Sequence, residues 1–243
     1  MGRESKSDTY KIGTIIEEKA MAKEIEFLCL ANSRREGGRC VAGIDLGTDK
    51  WVRLAKSDGS PFSASEISYK NDESPRPLDK IKIHVIKPQV SYFHPENWIV
   101  DKRFRWEKTG QDSLKALSQY TDKSTPPFFK DPSNCFSAKD LQNTPLLRSL
   151  MLIHKKSVIF QKTWSEWKKQ PQIRVRFTYK GNDYNLVVTD DEWENIFKKP
   201  SGPYWDFGDY TFNGSLYLVI GLGEDFKGRH YKLVVAVITK TKI

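Results

Sequence analysis

The sequence predicts a mainly β protein made of two five-stranded Greek-key barrels that are joined by a mixed segment of helix and loop. Short runs of β-branched and aromatic residues recur along the chain, with turn-forming residues between them. The order of three strands, a helix and two strands occurs twice. The 243 residues are enough for one large domain or two small ones with ordinary cores.

The second barrel, expected at residues 148–243, has the clearer pattern. Its strands are predicted at 157–161, 173–179, 184–189, 215–221 and 231–238. A helix is predicted to begin near Asp190, with acidic residues in its first turn and with Lys198 and Lys199 in its last turn, as the helix dipole favours. This order of elements is that of the OB fold, a small Greek-key barrel.

The first barrel, expected at residues 23–101, repeats the same order. Its strands are predicted at 24–30, 40–45, 51–55, 80–87 and 98–101. A short helix is predicted at 64–69, between the third strand and the fourth. The repetition favours two OB-like barrels over one larger sheet.

The two remaining segments have weaker patterns. Residues 1–22 are expected to form a tail that is partly helical around 15–22. Residues 102–147 are expected to form a linker or an insertion, with short helices at 111–120 and after Ser137, and with a proline-rich stretch between them.

One hexapeptide suggests a different protein class. Gly43-Ile44-Asp45-Leu46-Gly47-Thr48 resembles the first phosphate-binding hairpin of the actin-type and Hsp70-type ATPases. That fold requires two large lobes and further nucleotide motifs, and the chain has neither the length nor a second hairpin of this kind. Asp49 adds a second acid, which a phosphate would disfavour. We therefore interpret the hexapeptide as the turn between strands two and three, where Asp45 and Gly47 provide the turn geometry.

Composition excludes several classes of function. The longest apolar runs, such as 233–238, are far too short to cross a bilayer, and the N-terminus has no apolar signal core, so we expect a cytoplasmic protein without a membrane partner. The three cysteines and four histidines have no metal-ligand spacing, and no P-loop is present. We expect no metal, no cofactor and no catalytic residue, although carboxylates far apart in the sequence leave a nuclease open.

Charge points to the class of partner. The formal net charge of +9 favours a polyanion, and OB barrels bind oligonucleotides across strands two and three and through the loops that join strands one to two and four to five. In the first barrel, basic and aromatic residues at these positions are Arg34, Arg35, Arg39, Arg53, Tyr92 and Phe93.

The second barrel carries the more one-sided charge. Residues 154–180 contain eight lysines and arginines and a single acid, Glu166, whereas the predicted helix that follows is acidic. Such segregation suits a groove that follows a phosphate backbone, and aromatic rings there would stack on bases. The candidate contact residues are Lys155, Lys156, Trp164, Trp167, Lys168, Lys169, Arg174, Arg176, Phe226, Lys227 and Arg229.

Each of these features has a purely structural alternative. Arg174 and Arg176 alternate with apolar residues, so they also suit the solvated face of an edge strand. Trp164 and Trp167 suit a core that bridges barrel and linker. The arginine-rich loop at 32–39 suits an internal acid as well as a phosphate.

Three stretches resemble a known family. The first stretch is Leu28-Cys29-Leu30-Ala31-Asn32-Ser33-Arg34-Arg35, followed by Gly38-Arg39-Cys40-Val41-Ala42-Gly43. The second is Trp51-Val52-Arg53. The third is Leu218-Val219-Ile220-Gly221-Leu222-Gly223-Glu224, followed by Tyr231-Lys232-Leu233-Val234-Val235-Ala236. They resemble the start and the end of the prokaryotic dual OB-containing domain proteins. The resemblance covers nearly the whole chain apart from the N-terminal tail.

The resemblance implies two OB barrels, a nucleic-acid-binding role near mobile-element or defence functions, and no catalytic residue. Together with the charge pattern, it predicts a non-catalytic protein that binds single-stranded DNA or RNA, or structured RNA, with little sequence preference. The alternative is a protein-interaction or scaffold subunit of a larger complex, because OB barrels serve both purposes.

Overall fold

The computed structural model describes residues 22–122, 132–200 and 202–240. The predicted tail at 1–22, with its helix at 15–22, lies outside these residues except for its last position. The described chain is mainly β, and it forms two sheets whose strand order is that of the OB fold. The predicted fold class is confirmed.

Barrel 1 consists of five strands and a one-turn helix. They are β1 (Lys23–Arg35), β2 (Gly38–Asp45), β3 (Lys50–Ala55), α1 (Ala64–Ile67), β4 (Asp79–Pro88) and β5 (Asn97–Val100). The hydrogen-bonded order is β1-β2-β3-β5-β4, and β4 pairs back onto β1, so the sheet closes into a barrel. Only β3 and β5 run parallel.

Strand periodicity explains which side chains fill barrel 1. In β4, Ile81, Ile83 and Val85 are buried, and the lysine and histidine residues between them face outward. Ser63 and Glu66 form a capping box on α1, which buries Ile67 in the same core.

The segment between the barrels adds a strand to each of them. It contains β6 (Glu107–Gln111), α2 (Leu117–Tyr120), β7 (Cys135–Ser137) and α3 (Ala138–Asn143). β6 pairs with β4. β7 pairs with the last strand of the second barrel. The predicted helix at 111–120 is therefore only partly correct, because Gln111 ends a strand and the helical turns begin at Leu114.

Barrel 2 repeats the arrangement with longer strands. Its elements are β8 (Leu150–Ser165), β9 (Gln170–Tyr179), β10 (Asn182–Val188), α4 (Asp191–Lys198), β11 (Gly208–Phe226) and β12 (Arg229–Thr239). The order is β8-β9-β10-β12-β11, and β11 pairs back onto β8. A two-residue parallel pairing of β10 with β12 completes the ring.

The helix of barrel 2 begins where its sequence signals predict. The side chain of Asp190 accepts hydrogen bonds from the backbone N–H groups of Glu192 and Trp193, at 3.0 and 3.3 Å. Trp193 and Phe197 then pack into the barrel against Phe160. α4 therefore covers part of the barrel with aromatic side chains, and its acidic residues lie outside the barrel core.

A third apolar core joins the two barrels. It lies between the outer faces of β1–β3 and those of β8, β11 and β12, and it contains Leu28, Leu30, Ala31, Ala42, Ile44, Trp51, Leu117, Leu150, Leu152, Tyr217, Val219, Val235, Ala236 and Ile238. β1 is consequently buried on both faces, since Phe27 and Cys29 belong to the interior of barrel 1 and Leu28 and Leu30 to the shared core. This explains the uninterrupted apolar run in the middle of β1.

Candidate nucleic-acid interface

The ATPase-like hexapeptide forms the turn between β2 and β3. Asp45 pairs with Lys50 across the hairpin. One oxygen of the Asp45 carboxylate accepts a hydrogen bond from the N–H of Gly47 at 2.8 Å, and the other accepts one from the hydroxyl of Thr48 at 2.9 Å. Both carboxylate oxygens are thus used inside the turn, and the interpretation as a hairpin is confirmed.

The arginines predicted in the first loop of barrel 1 contact barrel 2. The predicted loop at 32–39 is instead a tight β1–β2 hairpin, with its turn at Glu36 and Gly37. Arg34 contacts Glu194 of α4 with 2.7 Å between Nη2 and Oε1. Arg39 forms an ion pair with Asp191.

A third arginine of this hairpin extends the contact to β11. Nη2 of Arg35 lies 3.1 Å from Oε1 of Glu224. The backbone supports the same arrangement, since the N–H of Arg34 donates a hydrogen bond to the carbonyl of Thr189 at 3.0 Å. All three loop arginines therefore have carboxylate partners on the neighbouring barrel.

Arg53 is buried where the barrels meet. Arg53 is 7% exposed, and its Nη2 lies 3.3 Å from the hydroxyl of Ser149, the residue that precedes β8. Its guanidinium also lies 3.8 Å from a carboxylate oxygen of Glu96 and donates from Nη1 to the sulfur of Cys40. The guanidinium thus links the two barrels and is screened from solvent.

Tyr92 and Phe93, in the β4–β5 loop of barrel 1, also pack on barrel 2. The hydroxyl of Tyr92 lies 3.2 Å from Nε2 of His230, whose Nδ1 donates to the carbonyl of Gly223 at 2.9 Å. His230 is fully buried, and the ring of Phe93 lies 4.3 Å from it. These two aromatic residues are half-buried members of an internal contact.

His94 completes that contact. Its Nε2 donates to the carbonyl of Leu222 at 2.7 Å. Burial, together with the nearby guanidinium of Arg53, holds the pKa of His94 well below its usual range. The imidazole is therefore neutral near pH 7, as a buried hydrogen-bonded side chain requires.

In barrel 2, the equivalent β8–β9 and β11–β12 turns are exposed to solvent and contact each other. The rings of Trp167, in the β8–β9 turn, and Phe226, at the end of β11, lie 5.0 Å apart and nearly perpendicular. Nζ of Lys227 lies 4.0 Å from the centre of the Trp167 ring. We name Trp167, Phe226 and Lys227 the aromatic clamp. Trp167 is 61% exposed and Phe226 is 39% exposed.

Both turns of the clamp are shaped by local hydrogen bonds. The N–H of Lys168 donates to the hydroxyl of Ser165 at 3.2 Å, and the N–H of Gly228 donates to the carboxylate of Asp225 at 2.9 Å. Gly228 has φ of +76°, a conformation that favours glycine, and a side chain there would meet no neighbouring atom. The turns are therefore defined by backbone geometry and leave the rings open to solvent.

The outer face of β9 and β10 is polar and grooved. Arg174 donates to the side chain of Asn185 at 2.9 Å, and Arg176 lies 2.5 Å from a carboxylate oxygen of Asp209. The hydroxyl of Thr178 donates to Asp183 at 2.6 Å. With residues 132–134, this face borders a groove of about 510 Å³. Of the two predicted arginines, Arg176 lines this groove, and each of the two has a partner within the barrel.

The other predicted residues of barrel 2 differ in their surroundings. The ammonium of Lys155 donates to the carbonyl of Thr178 at 2.6 Å, and Lys169 pairs with Glu166 at 2.9 Å. Arg229 contacts the sulfur of Cys135. The three that remain, Lys156, Trp164 and Lys168, are exposed.

Sequence reasoning missed several exposed aromatic residues. Tyr231 lies 6.3 Å from the Phe226 ring and extends the clamp. Trp205 and Phe207 lie on a separate surface, where both rings lie close to the buried ammonium of Lys162. The aromatic-rich stretch at 204–207 was the signal that could have identified this second surface.

The described residues form neither a metal-ligand cluster nor a membrane-spanning helix. Within residues 22–122, 132–200 and 202–240, no group of three or more histidine, cysteine, aspartate or glutamate side chains is placed to hold a metal ion. None of the helices in the same ranges is long and apolar enough to cross a membrane.

Comparison with known proteins agrees with the fold. The family model of the dual OB-containing domain matches residues 25–237, which include both barrels and the segment between them. No curated protein matches the chain. OB-fold domains commonly bind nucleic acids. Because the match covers nearly the whole length, the chain belongs to the dual OB-containing domain family.

Proposed function

We propose that the chain is a non-catalytic protein that binds single-stranded nucleic acid, DNA or RNA, through barrel 2. The aromatic clamp is the observation that carries this proposal. It brings two exposed rings and a lysine together from the two loops that OB barrels use for oligonucleotides. Each ring offers a face on which a base can stack.

The charges around the clamp support a phosphate backbone as its neighbour. Lys168, which follows Trp167 in the β8–β9 turn, is exposed and forms no ion pair with another described residue, and the same holds for Lys156, which lies farther away in β8. Lys227 lies over an indole ring rather than beside a carboxylate, so its ammonium remains available to a phosphate. Contacts of this kind neutralise phosphates and release counterions, which makes the affinity depend on salt.

The clamp favours binding with little sequence preference. Stacking uses the ring face that all bases share, and the lysines recognise phosphate charge, which is the same at every nucleotide. Single strands suit the clamp better than a duplex, because only unpaired bases expose their faces to Trp167 and Phe226.

Fluorescence anisotropy with a labelled single-stranded oligonucleotide tests the proposal directly. We expect the logarithm of the affinity to fall linearly with the logarithm of the salt concentration, and Lys227→Ala to reduce the slope by about 0.7. Phe226→Ala should weaken binding, while Phe104→Ala serves as the matched control, because Phe104 is an exposed phenylalanine of the segment after β5 that stacks on His84 of β4. Equal effects of the two substitutions would contradict the proposed surface.

A protein-binding role is the second candidate. One observation favours it: in barrel 1 the equivalent loops already bind protein, namely barrel 2. A scaffold subunit would show no affinity for oligonucleotides even at low salt, whereas the first proposal requires it. The prokaryotic defence or mobile-element setting stays a prediction from the family resemblance, and the cytoplasmic location stays a prediction from the composition.

A further inference from the structure

Barrel 2 covers all three parts of barrel 1 that an OB fold uses for oligonucleotides. The outer faces of β1–β3 lie in the shared apolar core. The β1–β2 hairpin contacts α4 and β11 through its arginines. The β4–β5 loop contacts β11 and β12 through Tyr92, Phe93 and His94.

We propose that barrel 1 is closed to nucleic acid because barrel 2 occupies its strand-binding surface, so that each chain binds one stretch of single strand, at barrel 2 alone. The inference rests on the proposed function and adds to it the number and the length of the strands that are bound. According to this inference, the carboxylates of α4 occupy the positions at which phosphates would otherwise contact the arginines of barrel 1.

The geometry of the ion pairs supports the view that carboxylates of α4 take the place of phosphates. Glu194 is 4% exposed, and its two carboxylate oxygens are used by Arg34 at 2.7 Å and by Lys198 at 3.1 Å. Asp191 pairs with Arg39 and lies 3.7 Å from Nε of Arg34. A phosphate that approached these arginines would meet two carboxylates, and displacing Glu194 would leave a buried charge without its guanidinium.

The stacking surface of barrel 1 is covered as well. Trp51, on β3, is the aromatic residue placed where a base would stack on the strand face. It is 8% exposed and packs in the shared core together with Ile44. Tyr92, in the β4–β5 loop, is held by its hydrogen bond to the buried His230. The ring of Trp51 is therefore largely covered, and Tyr92 is engaged within the protein.

The size of the site follows from this closure. A single OB barrel accommodates about 4–16 nucleotides, depending on the protein and the binding mode. Two open barrels would bind two short oligonucleotides, or one strand about twice as long. The inference predicts one oligonucleotide per chain, of a length within that range.

Native mass spectrometry with an oligonucleotide of about 12 nucleotides tests the stoichiometry. We expect one oligonucleotide per chain at saturation. We also expect Arg39→Ala to leave the Kd and its salt dependence within about twofold of the unmodified chain, the result anticipated for a residue that touches no phosphate. Two oligonucleotides per chain, or a clear loss of affinity with Arg39→Ala, would overturn the inference.

A double-mutant cycle provides a readout that does not depend on oligonucleotide binding. Arg39→Ala and Asp191→Ala should each lower the Tm, and the double variant should lose less than the sum of the two. Arg105→Ala is the matched control, because Arg105, in the segment between β5 and β6, is an exposed arginine that forms no ion pair with another described residue. Additive effects of Arg39→Ala and Asp191→Ala would refute the claim that Asp191 occupies the place of a phosphate at Arg39.

The two experiments also separate the two proposals. If the unmodified chain binds no oligonucleotide at low salt, the proposed function fails. The double-mutant cycle still decides whether Asp191 occupies the place of a phosphate at Arg39.

Discussion

The ammonium nitrogen of Lys227 lies 4.0 Å from the centre of the Trp167 ring, so a cation from the β11–β12 hairpin covers an indole from the β8–β9 turn. The same indole meets Phe226 edge to face. Two turns that are far apart in the sequence thus share one small cluster on the surface of barrel 2.

We expect Trp167→Ala to reduce oligonucleotide affinity by about 1–3 kcal/mol, roughly 5- to 150-fold, because a stacking surface is lost. Trp167→Phe should retain part of the affinity, since it keeps a ring at the same position. Fluorescence anisotropy at constant salt measures both. A Trp167→Ala variant that stays folded and binds as tightly as the unmodified chain would show that the indole is not a stacking surface.

Arg34→Ala should lower the free energy of unfolding by about 1–3 kcal/mol, because it removes a charged hydrogen-bond partner from the nearly buried Glu194. Arg105→Ala, on an exposed arginine, should change it by no more than about 0.5 kcal/mol. Urea unfolding followed by circular dichroism measures the difference. Equal effects of the two substitutions would mean that the contact with Glu194 contributes nothing.

Glu66 gives a prediction about pH. The backbone N–H of Ser63 and the ammonium of Lys56 lower the pKa of Glu66 from 4.5 to about 2. A carboxyl whose pKa is lower in the folded state stabilises the protein fully above its unfolded pKa, and this contribution is lost as the pH falls toward the folded pKa.

Glu66→Gln should therefore lower the Tm at pH 6, and the difference from the unmodified chain should shrink as the pH falls from about 4.5 to about 2. Glu73, in the same segment between β3 and β4, is exposed and forms no ion pair with another described residue, so Glu73→Gln is a suitable comparison. A Tm difference for Glu66→Gln that is constant over this pH range would contradict the assigned contacts.

Asp45 separates the hairpin from the ATPase interpretation. Asp45→Ala removes the acceptor for Gly47 and Thr48, so it should destabilise the chain by about 1–3 kcal/mol. We expect calorimetry to detect no binding of magnesium-ATP before or after the substitution. A micromolar affinity that disappears in Asp45→Ala would restore the nucleotide-binding interpretation.

The elements that could be predicted from the sequence are those with a regular local signal. The alternation of Ile81, Ile83 and Val85 marks β4, and the acids after Asp190 mark the start of α4. β8 and β11 extend far beyond their predicted bounds of 157–161 and 215–221. β8 already begins with the buried apolar residues Leu150–Ile153, and β11 begins at Gly208, opposite Lys162. The extensions follow from the pairing of these two strands with each other, as between Ser157 and Asn213, and a pairing over 56 positions leaves no local pattern in the sequence.

The surroundings of the candidate residues were harder to predict. Arg34 and Glu194 are 160 positions apart, and nothing local distinguishes an arginine that meets a phosphate from one that meets a distant carboxylate. Trp167 and Phe226 were identified as candidates because loop positions and residue type are local properties. Their contact with each other depends on how the barrel closes.

The burial of β1 on both faces has a consequence for folding. Phe27 and Cys29 belong to the interior of barrel 1, while Leu28 and Leu30 fill the space against barrel 2. If barrel 1 were separated from its neighbour, it would present a broad apolar face to water, and barrel 2 would do the same. We therefore expect a single cooperative heat-absorption peak in calorimetry, and we expect fragments that contain one barrel to aggregate rather than fold.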